Sequence, residues 1–131
     1  MVLPSHLRLS AITILLAISA LTAATAADPA PWLWSRATAI PSELTSEESG
    51  YFSIVEGKNG RIYVGTAKYD QNAYLVEYTP KDGSLKVVVD AHKEIGTDVT
   101  GFAAQSKIHT RNNVGQSGRI YFGTKQGYPR G

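Results

Sequence analysis

Residues 60–66 read Gly-Arg-Ile-Tyr-Val-Gly-Thr and residues 118–124 read Gly-Arg-Ile-Tyr-Phe-Gly-Thr. The second heptad copies the first 58 positions later with one change, Phe122 for Val64. A segment copied at a fixed offset marks a chain assembled from like supersecondary units. Such units must present like faces to their neighbours, and this restricts the fold more than composition does.

The residues around the first heptad read as a meander. Residues 51–55 are apolar and β-prone, 57–60 carry two glycines of a tight turn, and 61–64 form the next strand. A polar loop over 67–73 leads to a strand at 73–78. Pro80 and Gly83 then mark a turn, one setting φ and the other taking positive φ. The fourth strand is 85–89. After a longer connection at 91–106 the cycle restarts with a strand at 107–111, a turn at 115–118 and the repeated strand at 119–122. The expected fold is all-β: a complete four-stranded antiparallel unit over 51–90 and an incomplete second one over 107–131.

The segments Asn-Gly-Arg-Ile-Tyr-Val-Gly-Thr (59–66) and Leu-Val-Glu-Tyr-Thr-Pro-Lys-Asp-Gly-Ser-Leu (75–85) resemble β-propeller blades of the quinoprotein, gluconolactonase-like and WD-like superfamilies. The likeness spans 51–131 and extends to the N-terminal part of secreted bacterial propellers, which brings no activity with it. It implies one full blade and half of another. No Trp-Asp pair ends the third strand, which argues against a WD repeat proper. Ring closure takes roughly four to eight blades, so the expected partners are the remaining blades or other copies of the chain. Without them the apolar residues at 51–55, 62, 64, 75, 76 and 87–89 lack cover on one side. A small sandwich or barrel of the same hairpins is the competing architecture.

Ahead of the strands, residues 1–27 have the layout of a secretory signal. Arg8 is their only charge, residues 11–21 are an apolar run, and 22–27 are small. That run is well short of the roughly 20 residues needed to span a bilayer. The mature protein is therefore expected to be secreted or periplasmic, without a stable membrane anchor. Residues 28–50 read as an extended lead-in with Trp32 and Trp34 on one side, then one or two helical turns from Ser42.

The chain has no cysteine, so packing alone must hold it. Thirteen basic residues oppose eleven acidic ones, and Arg8 leaves with the signal. So even a balance gives no electrostatic case for a nucleic-acid partner.

Chain direction sends the loops at 67–73, 90–106 and 125–131 to one end of the units and the tight turns at 57–60 and 80–83 to the other. Binding groups concentrate on loops carried by a rigid scaffold. The candidate ligand-binding residues are Asp70, Asn72, His92, Asp98, Lys107, His109 and Arg111, with Tyr69, Gln71, Thr100, Gln126 and Tyr128 at the same end. Alternation along 107–113 places Lys107, His109 and Arg111 on one side of a strand. Their charge suits an anionic or polyhydroxylated ligand, with His109 and Arg111 the best catalytic candidates. His109 and Arg111 could equally bridge neighbouring units, and His92 and Asp98 could be solvated loop residues. No nucleophile elbow, phosphate-binding loop or zinc-protease motif is present, and no cofactor or metal is expected.

Three functions stay open. One is an exported binding or scaffold module for a small polar or carbohydrate-like ligand. Another is part of a propeller enzyme of lyase, lactonase or quinoprotein type whose catalytic set lies mostly in further blades. The last is a truncated gene product without function.

Overall fold

The computed structural model describes residues 32–46 and 53–129. The expected signal segment at 1–27, the start of the lead-in at 28–31, the end of the expected helical turns and the first residues of the expected first strand at 47–52, and residues 130–131 lie outside that range. The chain divides into two parts, residues 1–36 and 37–131. The described residues of the first have no regular secondary structure, and Trp32, Leu33 and Trp34 are exposed. In the second part a turn at 42–44, closed by Leu44 N–H donating to Pro41 O at 3.0 Å, stands where helical turns were expected.

The all-β expectation holds. Strands β1 (Ile54–Glu56), β2 (Ile62–Gly65), β3 (Tyr74–Thr79) and β4 (Ser84–Asp90) form an antiparallel sheet in sequential order. The β1–β2 turn closes because Gly60 takes φ of 72° and Gly57 N–H donates to Arg61 O at 2.8 Å. At the β3–β4 turn, Gly83 takes φ of 74° and donates to Thr79 O at 2.9 Å.

Period-two alternation gives the sheet two different faces. One carries Val55, Tyr63 and Glu77 in one cross-strand row and Gly65, Leu75 and Val89 in another. The opposite face carries a β-branched row across all four strands, Ile54, Val64, Val76 and Val87. Beside it run Ile62, Tyr78 and Leu85. The bulge between Leu75 and Val76 keeps these rows in step along β4.

The first face is covered by residues 106–112. Ile108 is fully buried and clusters with Tyr63, Ala73, Leu75 and Ala91. It fits because position 65 has no side chain: a Cβ on Gly65 would lie 2.6 Å from Ile108 Cγ2. Burying an isoleucine in this way contributes about 2–3 kcal/mol.

The remaining strands are short. β5 (Lys107–Ile108) pairs with β8 (Thr124–Lys125), and β6 (Asn113–Val114) pairs with β7 (Ile120–Tyr121). Together they are one hairpin interrupted midway. Its outer half has the register of β1–β2 shifted by 58: Val55↔Tyr63 and Glu56↔Ile62 correspond to Asn113↔Tyr121 and Val114↔Ile120. The turns match as well. Gly115 N–H donates to Arg119 O at 2.8 Å, and Gly118 takes φ of 84°.

The two hairpins lie against each other. Ser53 Oγ lies 2.8 Å from Ile108 O and 2.7 Å from Thr110 O, and Asn112 Nδ2 donates to Ser53 O and Tyr63 O at 3.0 and 3.3 Å. Lys58 Nζ, on the first turn, donates to Gln116 O on the second.

The strand expected over 107–111 is not continuous. Ile108 pairs with Thr124 and Asn113 with Tyr121, so residues 109–112 face only 122–123. His109 N–H and Thr110 N–H both point at Gly123 O, at 3.0 and 3.5 Å, while Thr110 Oγ1 accepts from Gly123 N–H at 2.7 Å. These bonds, with Ser53 and Asn112 on the other side, hold the extra residues out of the ladder.

Candidate functional site

Three loops meet at one end of the sheet: the β2–β3 loop, the β4–β5 connection and the segment after β8. Asp70 N–H donates to Tyr128 O at 2.9 Å, Gly101 N–H to Asp70 O at 3.0 Å, and Gly127 N–H to Phe102 O at 2.8 Å. Asp70 adopts φ of 70°, a left-handed conformation that Asp tolerates better than most residues. Its side-chain Oδ1 turns toward Gly101, 3.5 Å from where a Cβ would stand. The loops grouped at this end by chain direction are thus linked through their backbones.

On this frame the rings of Tyr69 and Tyr128 stack, with centroids 4.6 Å apart and planes inclined by 23°. Lys107, only 6% exposed, places Nζ 4.7 Å from the Tyr128 centroid and 5.8 Å from that of Tyr69. Lys125 Nζ lies 5.3 Å from the Tyr128 ring. The exposed His109 ring is tilted to Tyr128 at 6.5 Å. Cations at such distances are attracted by the ring quadrupole. Three basic side chains therefore gather around one tyrosine. Partial desolvation, then the charges of Lys107 and Lys125, hold the His109 imidazole below its usual range.

The other sequence candidates are placed differently. Asn72 and His92 are buried at the junction of β3, β4 and the short helix α1 (Ala91–Ile95). Asn72 Oδ1 accepts from Ala73 N–H and His92 N–H at 2.8 and 3.1 Å, and its Nδ2 donates to Asp90 Oδ1 at 2.7 Å. Asp90 also caps α1 by accepting from Lys93 N–H at 3.1 Å. Burial alone would raise the Asp90 pKa, but the bonds from Asn72 and Lys93 outweigh it and hold the carboxyl below its ordinary value. His92 Nε2 accepts from Gln105 N–H at 3.0 Å, so a neutral ring carries its proton on Nδ1. Asn72 and His92 thus order the β4–β5 connection, and His92 is not a solvated loop residue. Asp98 is exposed further along that connection. Arg111 is exposed in the interruption between β5 and β6, its carbonyl accepting from Asn113 Nδ2 at 3.1 Å.

Lys125 is absent from the sequence candidates. Continuing the register of the outer hairpin would set it opposite His109. The two extra residues at 109–112 set it opposite Lys107 instead. The stacking of Tyr69 on Tyr128 has no sequence signal either, because the residues come from loops separated by the whole of β3–β8.

Among the described residues, no group of three or more His, Asp and Glu side chains is arranged to hold a metal ion. Among them, too, no helix is long and apolar enough to cross a membrane. Compared with protein-family models, curated proteins and solved structures, the chain has no significant match.

Proposed function

We propose that the chain is an exported binding module of the β-propeller type, taking a small polar or carbohydrate-like ligand at the loop end around Tyr69 and Tyr128. The observation that carries this reading is the stacked tyrosine pair, held by backbone bonds among three loops and flanked by basic side chains. Aromatic faces suit the C–H faces of sugar rings, and neighbouring polar groups orient hydroxyls.

The propeller part is supported by two hairpins with one turn geometry and one register, 58 residues apart and packed together. It is supported too by the two ends of the β-branched row on the opposite sheet face, where Ile54 and Val87 are 59% and 37% exposed while Val76 at its centre is buried. On this reading a neighbouring blade covers that row, supplied by the remaining blades or by other copies of the chain.

Calorimetric titration of the full chain with a panel of neutral and acidic oligosaccharides tests the ligand reading. Tyr128→Phe is expected to bind as the parent does, and Tyr128→Ala to lose about tenfold or more in affinity, in keeping with the value of an aromatic contact. Equal binding by both variants overturns it.

A further inference from the structure

In the first hairpin the copied heptad holds a carboxylate. Glu77 on β3 stands opposite Tyr63, accepts from the Tyr63 hydroxyl at 2.9 Å and pairs with Arg61 Nη1 at 2.8 Å. Its neighbours Val76 and Tyr78 stand opposite Val64 and Ile62. The second heptad repeats the receiving side of this arrangement. Arg119 and Tyr121 take the places of Arg61 and Tyr63, on one side of an alternating strand, in a hairpin of the same register. Both are exposed, and among the described residues no carboxylate pairs with either.

The strand edge beside them is open among the described residues. β7 pairs with β6 on one side, and the chain beyond it returns to β5 as β8. Bonded and non-bonded facing residues alternate along an antiparallel pair. Arg119 O accepts from Gly115 N–H, so Ile120 turns its N–H and C=O away from β6, as Ile62 turns its own away from β1 toward β3. Outward N–H and C=O groups on an edge are a template for a further strand.

We propose that the β7 edge takes up, as an extended antiparallel strand, a segment of a protein partner that carries a glutamate between apolar residues. Arg119 and Tyr121 hold its carboxylate as Arg61 and Tyr63 hold Glu77. Main-chain bonds to Ile120 supply grip without choosing a sequence. The carboxylate supplies the choice, because a charged hydrogen bond is about twice as strong as a neutral one. Apolar residues on either side of the glutamate fall beside Ile120 and Phe122, which already pack against the core. The residue facing Tyr121 from β6 is Asn113, which is uncharged, so no acidic group there competes for Arg119. The proposal concerns a partner rather than the tyrosine-pair ligand, and it stands whether or not a saccharide binds.

The test titrates the full chain with a synthetic peptide of residues 73–79, given a lysine at each end for solubility, and with its Glu77→Gln form. The glutamate peptide is expected to bind about tenfold more tightly, and the gap to narrow as salt is raised. Arg119→Gln in the chain is expected to erase the gap at an unchanged melting temperature, since the residue is exposed. Arg119→Glu is expected to reverse the preference toward a peptide with Glu77→Lys. Amide exchange at Ile120 should slow in the complex. The inference falls if the glutamate and glutamine peptides bind alike, if neither binds, or if binding leaves Ile120 exchange unchanged. The saccharide reading, tested on its own panel, is untouched by any of these. Sedimentation of the chain alone covers the other occupant: dimers that Arg119→Gln dissociates would make the edge a contact between copies and overturn the separate partner.

Discussion

Tyr63 and Tyr121 occupy the same position in two copies of one heptad, in hairpins of the same register, yet their surroundings differ. Tyr63 is 9% exposed and Tyr121 is 55% exposed. Each ring crowds the glycine that opens its turn, with Cε2 2.6 Å from a Cβ built at Gly57 or Gly115. The difference lies beyond the hairpin. Tyr63 has β3 beside it, and its hydroxyl donates to Glu77 Oε2 at 2.9 Å while accepting from Asn59 Nδ2 at 2.9 Å. Arg61 completes the arrangement with an ion pair to Glu77 at 2.8 Å. In the second hairpin the strand after β7 is β8, which returns to β5. The same local sequence thus builds the same turn, and only the neighbouring strand decides whether its tyrosine is a core residue.

The largest effect that would sharpen this comparison lies at the paired glycines. Gly65→Ala drives a methyl to within 2.6 Å of Ile108 Cγ2 and 2.8 Å of Ser53 Cβ, so the hairpins must separate. A loss of about 3 kcal/mol in urea unfolding is expected. Gly123→Ala meets only Thr110 Cγ2 at 3.1 Å, an exposed side chain able to shift, and is expected to cost less than about 1 kcal/mol. Equal costs would mean that the second hairpin does not rest on the first at this point.

Next come the tyrosines. Tyr63→Phe leaves Glu77 without one of its two donors and is expected to cost about 2 kcal/mol. Tyr121→Phe should stay within about 0.5 kcal/mol, as surface changes do. The comparison breaks if the two substitutions destabilise alike.

A smaller effect concerns acid. Burial alone would raise the Glu77 pKa, but Tyr63, Arg61 and Lys86 together hold it below the ordinary value, as Asn72 and Lys93 do for Asp90. A carboxylate whose folded pKa is lowered stabilises the fold above its unfolded pKa and loses that contribution as pH falls through the folded one. Thermal melts should therefore drop below about pH 4, where carboxylates of the unfolded chain take up protons. Tyr63→Phe should flatten that drop and Tyr121→Phe should leave it unchanged.

Much of the first sheet was legible in the chain. The alternation at 73–78, the glycines at 60 and 83 and the copied heptad led to four strands, of which β2, β3 and β4 have ends within one residue of the expected ones, while β1 begins at Ile54 rather than at 51. Turn chemistry and side-chain period act over a few residues, so they can be read without knowing what packs nearby. The gathering of loops at one end follows from strand direction alone, and Lys107, His109, Tyr69 and Tyr128 do come together there. His92 and Asn72, polar loop residues by sequence, are buried because the helix start and Gln105 N–H need their acceptors.

The amino-acid order by itself determined where the chain turns, which residues share a strand face, and that one hairpin is made twice. Tertiary structure decided which of those faces is buried and what surrounds the tyrosine rings. Ser53 and Asn112, reaching across from one hairpin to the other, break the strand at 109–112, and that break sets Lys125 opposite Lys107. Register near a turn follows from local hydrogen bonds, whereas register past an interruption depends on contacts between residues more than 50 positions apart, which no local pattern encodes.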